Sequence, residues 1–203
     1  MGKKINFNTE KVIFRPFVGK NYATCGVFKK HIMILGESHY SDDYDPMLTN
    51  NVVRRYLDSN EDHEDWMKTF LKFERSLVGR ETTSIDRANI WESLVFYNYL
   101  QVLMDGPREA GQKQQYIDSS SAFFQVLEQL QPDVIIVWGK RLWENIPWEH
   151  WTESEPITVE GYNIDNGYYT LSNGHIVKVV SVYHPSAGYD WKWWFKHAIS
   201  KFL

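Results

Sequence analysis

The sequence predicts a three-layer α/β/α fold with a central, mainly parallel four-stranded sheet. Strand-like apolar runs alternate with helical patterns, and this alternation is typical of βαβ units around a parallel sheet. Two of the runs are continuous, rich in β-branched residues and followed by glycine, as buried central strands usually are. The 203 residues suffice for one substantial core, and no repeat or linker divides them. We therefore expect a single domain over residues 1–203.

Four segments are predicted to be strands, and each is followed by a residue that ends it or carries a polar side chain. The segments are residues 31–35 before Gly36, 94–97 running into Asn98, 133–138 before Gly139, and 176–183 before His184. In an open parallel sheet, ligands bind beyond the carboxyl ends of the strands. The site is therefore expected where these four segments end.

Helical patterns separate the predicted strands. Residues 66–78 place four large apolar side chains on one face, and residues 119–131 begin with a serine-rich capping segment and stop at Pro132. Residues 140–145 and 191–202 are two further predicted helices. Between residues 160 and 176, the tripeptides Asp165-Asn166-Gly167 and Ser172-Asn173-Gly174 are turn signals that predict a hairpin.

The net charge of −4 argues mildly against a nucleic-acid partner, because nonspecific affinity for nucleic acid comes from cationic side chains. A local basic face can nevertheless coexist with an acidic surface elsewhere. Aromatic residues make up 16% of the chain, which suits either a core or the stacking of bases.

Cys25 is the one cysteine, so the chain has no internal disulfide, no multi-thiolate zinc site and no iron–sulfur cluster. The first residues carry no long apolar run, and no window approaches the roughly 20 apolar residues of a membrane span. We expect a cytoplasmic, monomeric protein with no membrane partner, no cofactor and no metal.

Polar side chains are concentrated after the first and last predicted strands. Gly36 allows a tight turn, and it is followed by Glu37, Ser38, His39 and Tyr40. After the last strand, Pro185 holds His184 in an extended conformation and fixes the turn. A histidine held by a rigid turn can donate a hydrogen bond to a developing anion. Each segment alone is also compatible with an ordinary polar loop.

Taken together and in order, the segments 36–40 (GESHY) and 184–186 (HPS) resemble the two signature motifs of the uracil-DNA glycosylase superfamily. Residues 133–139 resemble the third strand of that family, and residues 96–99 resemble the strand whose asparagine reads the pyrimidine edge. The resemblance spans roughly residues 12 to 203. It implies a uracil-DNA glycosylase-like fold and the excision of a base from single- or double-stranded DNA after the nucleotide is flipped out of the stack.

The resemblance also implies roles for individual residues. His184 would stabilise the departing base anion, and Asn98 would read the base edge. Tyr40 lies where one branch of the family has the tyrosine that excludes the thymine methyl. The expected base-binding residues are Gly36, Ser38, Tyr40 and Asn98, and the expected DNA contacts are His39, Pro185, Ser186, Tyr189 and Lys192.

Two positions depart from that branch of the family. Ser38 stands where the branch has an aspartate that orients water, and His39 stands where a proline is usual. Because a serine hydroxyl is no general base at neutral pH, we interpret Glu37 as the residue that orients water, with loop support as its alternative role. Replacement of the aspartate and the proline also suits a pocket reshaped for a bulky modified base.

Two other classes of function compete with a glycosylase. The first is a non-catalytic protein that binds nucleic acid or a nucleotide on the same fold, which Ser38 and the negative charge favour. The second is a metal hydrolase that uses Glu37, His39, Asp42 and His184, although these residues lack the tight spacing of a typical metal site.

Overall fold

The computed structural model describes residues 11–59, 63–106, 109–186 and 188–203, and it shows a mixed α/β fold built on one large sheet. The strands are β1 (Phe17–Val18), β2 (Ile32–Gly36), β3 (His39–Tyr40), β4 (Leu94–Asn98), β5 (Leu103–Met104), β6 (Val134–Trp138), β7 (Trp151–Glu153), β8 (Ile157–Val159), β9 (Tyr162–Ile164), β10 (Asn166–Thr170) and β11 (Ile176–Val182). The helices are α1 (Leu48–Asp58), α2 (Met67–Val78), α3 (Ser84–Trp91), α4 (Lys113–Leu130), α5 (Lys140–Trp143) and α6 (Trp191–His197).

The large sheet has seven strands in the order β1-β4-β2-β6-β11-β10-β7, so the prediction of a four-stranded sheet is wrong in its strand count. The four predicted strands are the adjacent, parallel strands β4, β2, β6 and β11. Strands β1, β10 and β7 extend the sheet with antiparallel pairs. Two of these added strands have only two or three residues, which is too short for a period of two to show in the sequence.

Hydrophobic residues cover both faces of the sheet. On β2, Ile32 and Ile34 belong to a cluster with buried residues of α1, α2, α3 and α6, whereas Met33 and Leu35 face a second cluster with α4. We call these the α2 face and the α4 face of the sheet. Alternate side chains of a strand point to opposite faces, so two helical layers sandwich the sheet.

The helix boundaries differ from the predicted ones where capping decides them. Helix α4 begins at Lys113, six residues before the predicted start, because Gln112 and Gln115 form a reciprocal capping box. Helix α6 ends at His197, and a 3₁₀ turn (Ile199–Lys201) follows. Within the described residues, none of the helices is long and apolar enough to cross a membrane.

The predicted hairpin forms, although only one of its two turn signals is a turn. Residues 172–174 form the turn between β10 and β11, with Gly174 at a φ of +84°. Asn166 and Gly167 instead lie inside β10, where they pair with Val180 and Val179 of β11. Gly167 is required there because the Trp151 ring approaches within 2.4 Å of the position that a Cβ would take.

Candidate functional site at the carboxyl ends of the parallel strands

The four parallel strands end side by side, and this edge brings together the polar residues that follow them. Asn98 pairs with Gly36 in register, and Val182 pairs with Trp138 two residues before His184. By the alternation of side chains, Asn98 and Trp138 belong to the α2 face, and the His184 ring, which lies beyond the end of β11, packs against Trp138. The strands carrying Asn98 and His184 are three spacings apart, or about 14 Å between backbones. Gly36 and Trp138 lie between them.

Gly36 is required for the placement of Asn98. A Cβ on Gly36 would lie 2.1 Å from Oδ1 of Asn98 and 3.2 Å from the Phe96 ring. Gly36 is part of β2 and is not among the glycines with a positive φ. The sequence analysis expected Gly36 to allow a tight turn. In the structure a glycine is needed there because the Asn98 amide approaches the backbone closely.

His39 lies in the interior, behind Asn98. It is 5% exposed, its Nε2 lies 2.8 Å from Oγ1 of Thr49, and Nδ2 of Asn98 lies 3.0 Å from each ring nitrogen. Burial lowers the pKa of His39 to about 4, so the ring is neutral near pH 7. The prediction that His39 contacts DNA is therefore wrong, because no face of the ring is available at the surface.

His184 is held in one tautomer by Ser186. The backbone N–H of Ser186 donates to Nδ1 of His184 over 3.3 Å, and the Ser186 hydroxyl lies 2.7 Å from the same nitrogen. Because a backbone N–H can only donate, Nδ1 is an acceptor and the ring proton is on Nε2. His184 remains exposed, yet the surrounding protein lowers its pKa by desolvation; Arg141 also lowers it, and Glu37 opposes both effects. A neutral ring with a free Nε2–H can donate to an anion.

Trp138 is a buried aromatic residue between the two ends of the site. Its ring centroid lies 5.2 Å from that of Phe96 and 5.8 Å from that of His184. Its Nε1 is buried and has no hydrogen-bond partner in the described part of the chain. A buried N–H without a partner costs about 1–3 kcal/mol. The residue is 3% exposed, so its indole N–H is closed to a ligand in this structure.

Glu37 follows Gly36 and belongs to the α4 face of the sheet by the same alternation. One carboxylate oxygen accepts from the Tyr116 hydroxyl and from Nε of Arg141 at 2.7 Å, and the other accepts from Nε at 3.0 Å and Nη2 at 2.5 Å. Three donors therefore engage the carboxylate, and the Nε–H of Arg141 is shared between its two oxygens. This arrangement favours loop support over water orientation as the role of Glu37.

Arg141 was missed by sequence reasoning, although a signal for it was present. It follows Gly139, which has a φ of +96° and whose added Cβ would lie 3.4 Å from Cβ of His184. The backbone N–H of Gly139 also donates to the carbonyl of Val182 over 2.8 Å. Gly139 thus turns the chain beside His184 and directs α5 toward Glu37. The sequence signal for Arg141 was a glycine directly after a buried strand, which is the same signal that pointed to segment 36–40.

The other predicted site residues lie in different environments. Ser38 is half-buried and Tyr40 is 54% exposed, so the Tyr40 ring does not line a closed pocket in this structure. Pro185 is buried, whereas Ser186 and Lys192 are exposed. The Lys192 ammonium lies 5.3 Å from the centre of the Trp191 ring. Ser186 and Lys192 remain accessible to a large ligand.

Tyr189 is buried, so the prediction that it contacts DNA is wrong. It is 7% exposed, its hydroxyl donates to Oγ of Ser76 over 2.9 Å, and its ring stacks on Trp194. Trp194 belongs to the core. Tyr183, another aromatic residue near the site, is 38% exposed and therefore more accessible than Tyr189. Nζ of Lys140 lies 5.7 Å from the centre of the Tyr183 ring.

A metal-binding cluster is not found at this edge. The described residues contain no group of three or more His, Cys, Asp and Glu side chains placed to hold one ion. His39, one of the candidate ligands, is engaged with Thr49 and Asn98. Two surface cavities, of about 220 and 640 Å³, have linings that do not include Glu37, Asn98 or His184. The candidate site is therefore identified by its side chains and not by either of these two cavities.

No protein-family model matches this chain, and no curated protein matches it either. The strand ends carry a neutral histidine donor, an asparagine amide and a carboxylate–guanidinium pair.

Proposed function

We propose that the protein is a DNA glycosylase of the uracil-DNA glycosylase type that excises uracil or another altered pyrimidine. The observation that carries this proposal is the fixed tautomer of His184, which leaves Nε2–H without a partner among the described residues at the carboxyl edge of a parallel sheet. A base that leaves a sugar does so as an anion, and a preorganised neutral donor stabilises an anion without the cost of reorienting solvent.

In the proposed reaction, the target nucleotide is flipped out of the stack and docks at the strand edge beside His184. The bond between the sugar carbon and the ring nitrogen breaks, and its electron pair moves onto the base. Nε2–H of His184 donates to the anionic base as the charge develops. A water oxygen then bonds to the sugar carbon and releases a proton, which gives an abasic sugar and a neutral base.

The other residues of the site have supporting roles in this proposal. Asn98 contacts the edge of the base, and the buried Trp138 ring packs against Phe96 and His184 and supports the position of His184. Glu37 acts through Arg141 and Tyr116 by holding segment 36–40 against α4 and α5. Lys140, Tyr183 and Lys192 are exposed near the site and suit contacts with phosphates and bases, which makes a local DNA surface compatible with a net charge of −4.

The test uses oligonucleotides that each carry a single uracil, hypoxanthine or modified cytosine, incubated with the protein in EDTA and scored for abasic sites. We expect abasic sites on at least one substrate. His184→Ala should reduce the rate by roughly 100-fold or more, as the loss of a donor to a developing anion does elsewhere. His150→Asn is the matched control, because His150 is exposed at a φ of +60°, a conformation that asparagine tolerates.

A second candidate function is binding of nucleic acid without excision, and the engagement of both Glu37 oxygens by Tyr116 and Arg141 favours it. In that case the protein retains affinity for the oligonucleotides but yields no abasic site on any of them. Excision that disappears in EDTA would instead support the metal hydrolase.

A further inference from the structure

Tyr183 is a half-exposed aromatic residue beside His184, and its neighbours hold its ring in place. It is 38% exposed. Its ring centroid lies 5.4 Å from that of Tyr162 and 5.3 Å from that of Trp194, and both pairs meet edge to face. Burial raises the pKa of Tyr162, and the hydrogen bond between Tyr162 and Tyr183 raises it further. A ring that is already fixed at the surface loses little conformational freedom when a ligand covers it.

The partners of Tyr183 are themselves anchored in the fold. Trp194 is 3% exposed, belongs to the core of the α2 face and stacks on Tyr189. Tyr162 lies on β9, which pairs with β8 in a hairpin, and its ring centroid lies 5.8 Å from that of Trp193 on α6. The hairpin and α6 therefore hold Tyr183 together, and the rest of its ring faces solvent.

A lysine lies against this ring. Nζ of Lys140 lies 5.7 Å from the centre of the Tyr183 ring and 5.2 Å from the centre of the Tyr162 ring. Lys140 is exposed, whereas Asp165, an acidic neighbour of Tyr162, is half-buried. An exposed ammonium beside an exposed ring offers a phosphate contact next to a stacking surface.

This combination of ring and ammonium matches a nucleotide of an unpaired strand. Every base has a π-face that can stack on an aromatic side chain, and a nearby cation attracts the phosphate. In a duplex, both faces of each base are already stacked on neighbouring pairs, so a surface ring has no base face to receive. Tyr183 directly precedes His184, so a base on its ring would belong to a nucleotide close to the one at His184 in the same strand.

We propose that Tyr183 is a stacking platform for an unpaired base that flanks the target nucleotide, and that Lys140 contacts the adjoining phosphate. The protein consequently binds single-stranded DNA in preference to duplex DNA. The inference rests on the proposed function for the placement of the target nucleotide beside His184. It deepens that function by naming the form of the substrate.

The binding test uses a fluorescent oligonucleotide of thymidines, either free or annealed to its complement, so that it contains no altered base and excision plays no part. Fluorescence anisotropy should show tighter binding of the single strand. Tyr183→Leu should weaken binding of the single strand by roughly tenfold, as the loss of a stacking partner does elsewhere, and leave binding of the duplex unchanged. Trp148→Leu is the matched control, because Trp148 is 62% exposed and its ring lies beside Trp151.

Two further variants separate stacking from structural support. Tyr183→Phe keeps the ring and removes the hydroxyl that bonds to Tyr162, so it should bind the single strand as wild type does. Equal losses of affinity in folded Tyr183→Phe and Tyr183→Leu would overturn the inference. Lys140→Met should reduce the slope of log affinity against log salt concentration by about 0.7, because one phosphate contact to a single strand is lost. An unchanged slope would overturn the role assigned to Lys140.

The inference and the proposed function fail in different ways. Excision of uracil by a protein that binds both forms of DNA equally, or whose affinity is unchanged in folded Tyr183→Leu, would overturn the inference and leave the glycosylase standing. Binding of the single strand that is preferential and depends on Tyr183, with no abasic site on any substrate, would support the platform and contradict the glycosylase. No binding of either form by wild type would overturn the inference, so the test stands even if Tyr183→Leu does not fold.

Discussion

The backbone N–H of Ser186 donates to Nδ1 of His184 over 3.3 Å, and this contact assigns the ring proton to Nε2. The Ser186 hydroxyl reinforces the assignment from 2.7 Å. Pro185 separates the two residues and restricts the backbone between them, so the turn itself selects the tautomer. A two-residue turn thus supplies a neutral, oriented donor at the strand edge.

The tautomer of His184 can be measured directly. Nitrogen-15 NMR should show protonation of Nε2 at pH 7 and a titration midpoint below 6.5, because desolvation of the ring lowers its pKa. Arg141→Met should raise this midpoint, because the substitution removes a nearby cation and leaves the charge of Glu37 uncompensated. Arg80→Met is the matched control, since Arg80 pairs with Asp86 at the surface. A His184 protonated on Nδ1 at pH 7 would contradict the assigned tautomer.

The ion pair between Glu37 and Arg141 should couple the end of β2 to α5. Glu37→Ala and Arg141→Ala should each destabilise the protein, and a double-mutant cycle from denaturant unfolding should give a coupling of about 1 kcal/mol. The Arg141 side chain is 43% exposed and that of Glu37 only 13%, so solvent screens the pair in part. The same cycle on Arg80 and Asp86 should give a smaller coupling. Additive effects of Glu37→Ala and Arg141→Ala would show that the pair does not hold the loop.

His39 should make the free energy of unfolding depend on pH. Its pKa is about 4 in the folded protein against 6.5 for an exposed histidine, so the unfolded chain binds the proton first as the pH falls. The contribution of His39 is fully present above about pH 6.5, decreases as the pH falls toward 4 and then levels off, with a total of about 3 kcal/mol. His39→Gln should flatten this part of the curve in urea unfolding. An equal slope in wild type and variant would place the pKa of His39 near its ordinary value.

The central strands and the site edge could be predicted from the sequence because their signals are local. Residues 31–35 and 133–138 are apolar runs that end at glycine, and both are buried strands in the structure. The convergence of Glu37, Asn98 and His184 at one edge followed from parallel pairing alone. The extra strands Phe17–Val18 and Trp151–Glu153 could not be predicted. They are strands because they pair with β4 and β10, and that pairing leaves no local pattern in the sequence.

The side-chain partners were beyond the reach of sequence reasoning for a different reason. Thr49 lies on α1 and Tyr116 on α4, and no local pattern shows that these helices bring them to His39 and Glu37. Burial also reversed two interpretations. His39 lies within segment 36–40 and Tyr189 follows segment 184–186, so the sequence suggested contacts at the surface. Both residues instead have buried partners: His39 contacts Thr49, and Tyr189 contacts Ser76.

The central claim is that Nε2–H of His184 stabilises a departing base, and single-turnover base release tests it most directly. Wild type, His184→Ala and His150→Asn are each mixed in excess with an oligonucleotide that carries one uracil, and free base is quantified over time in EDTA. We predict base release by wild type and His150→Asn, and a rate lower by roughly 100-fold or more in folded His184→Ala. Equal rates in wild type and His184→Ala, or no base released by wild type while the oligonucleotide is bound, would contradict it.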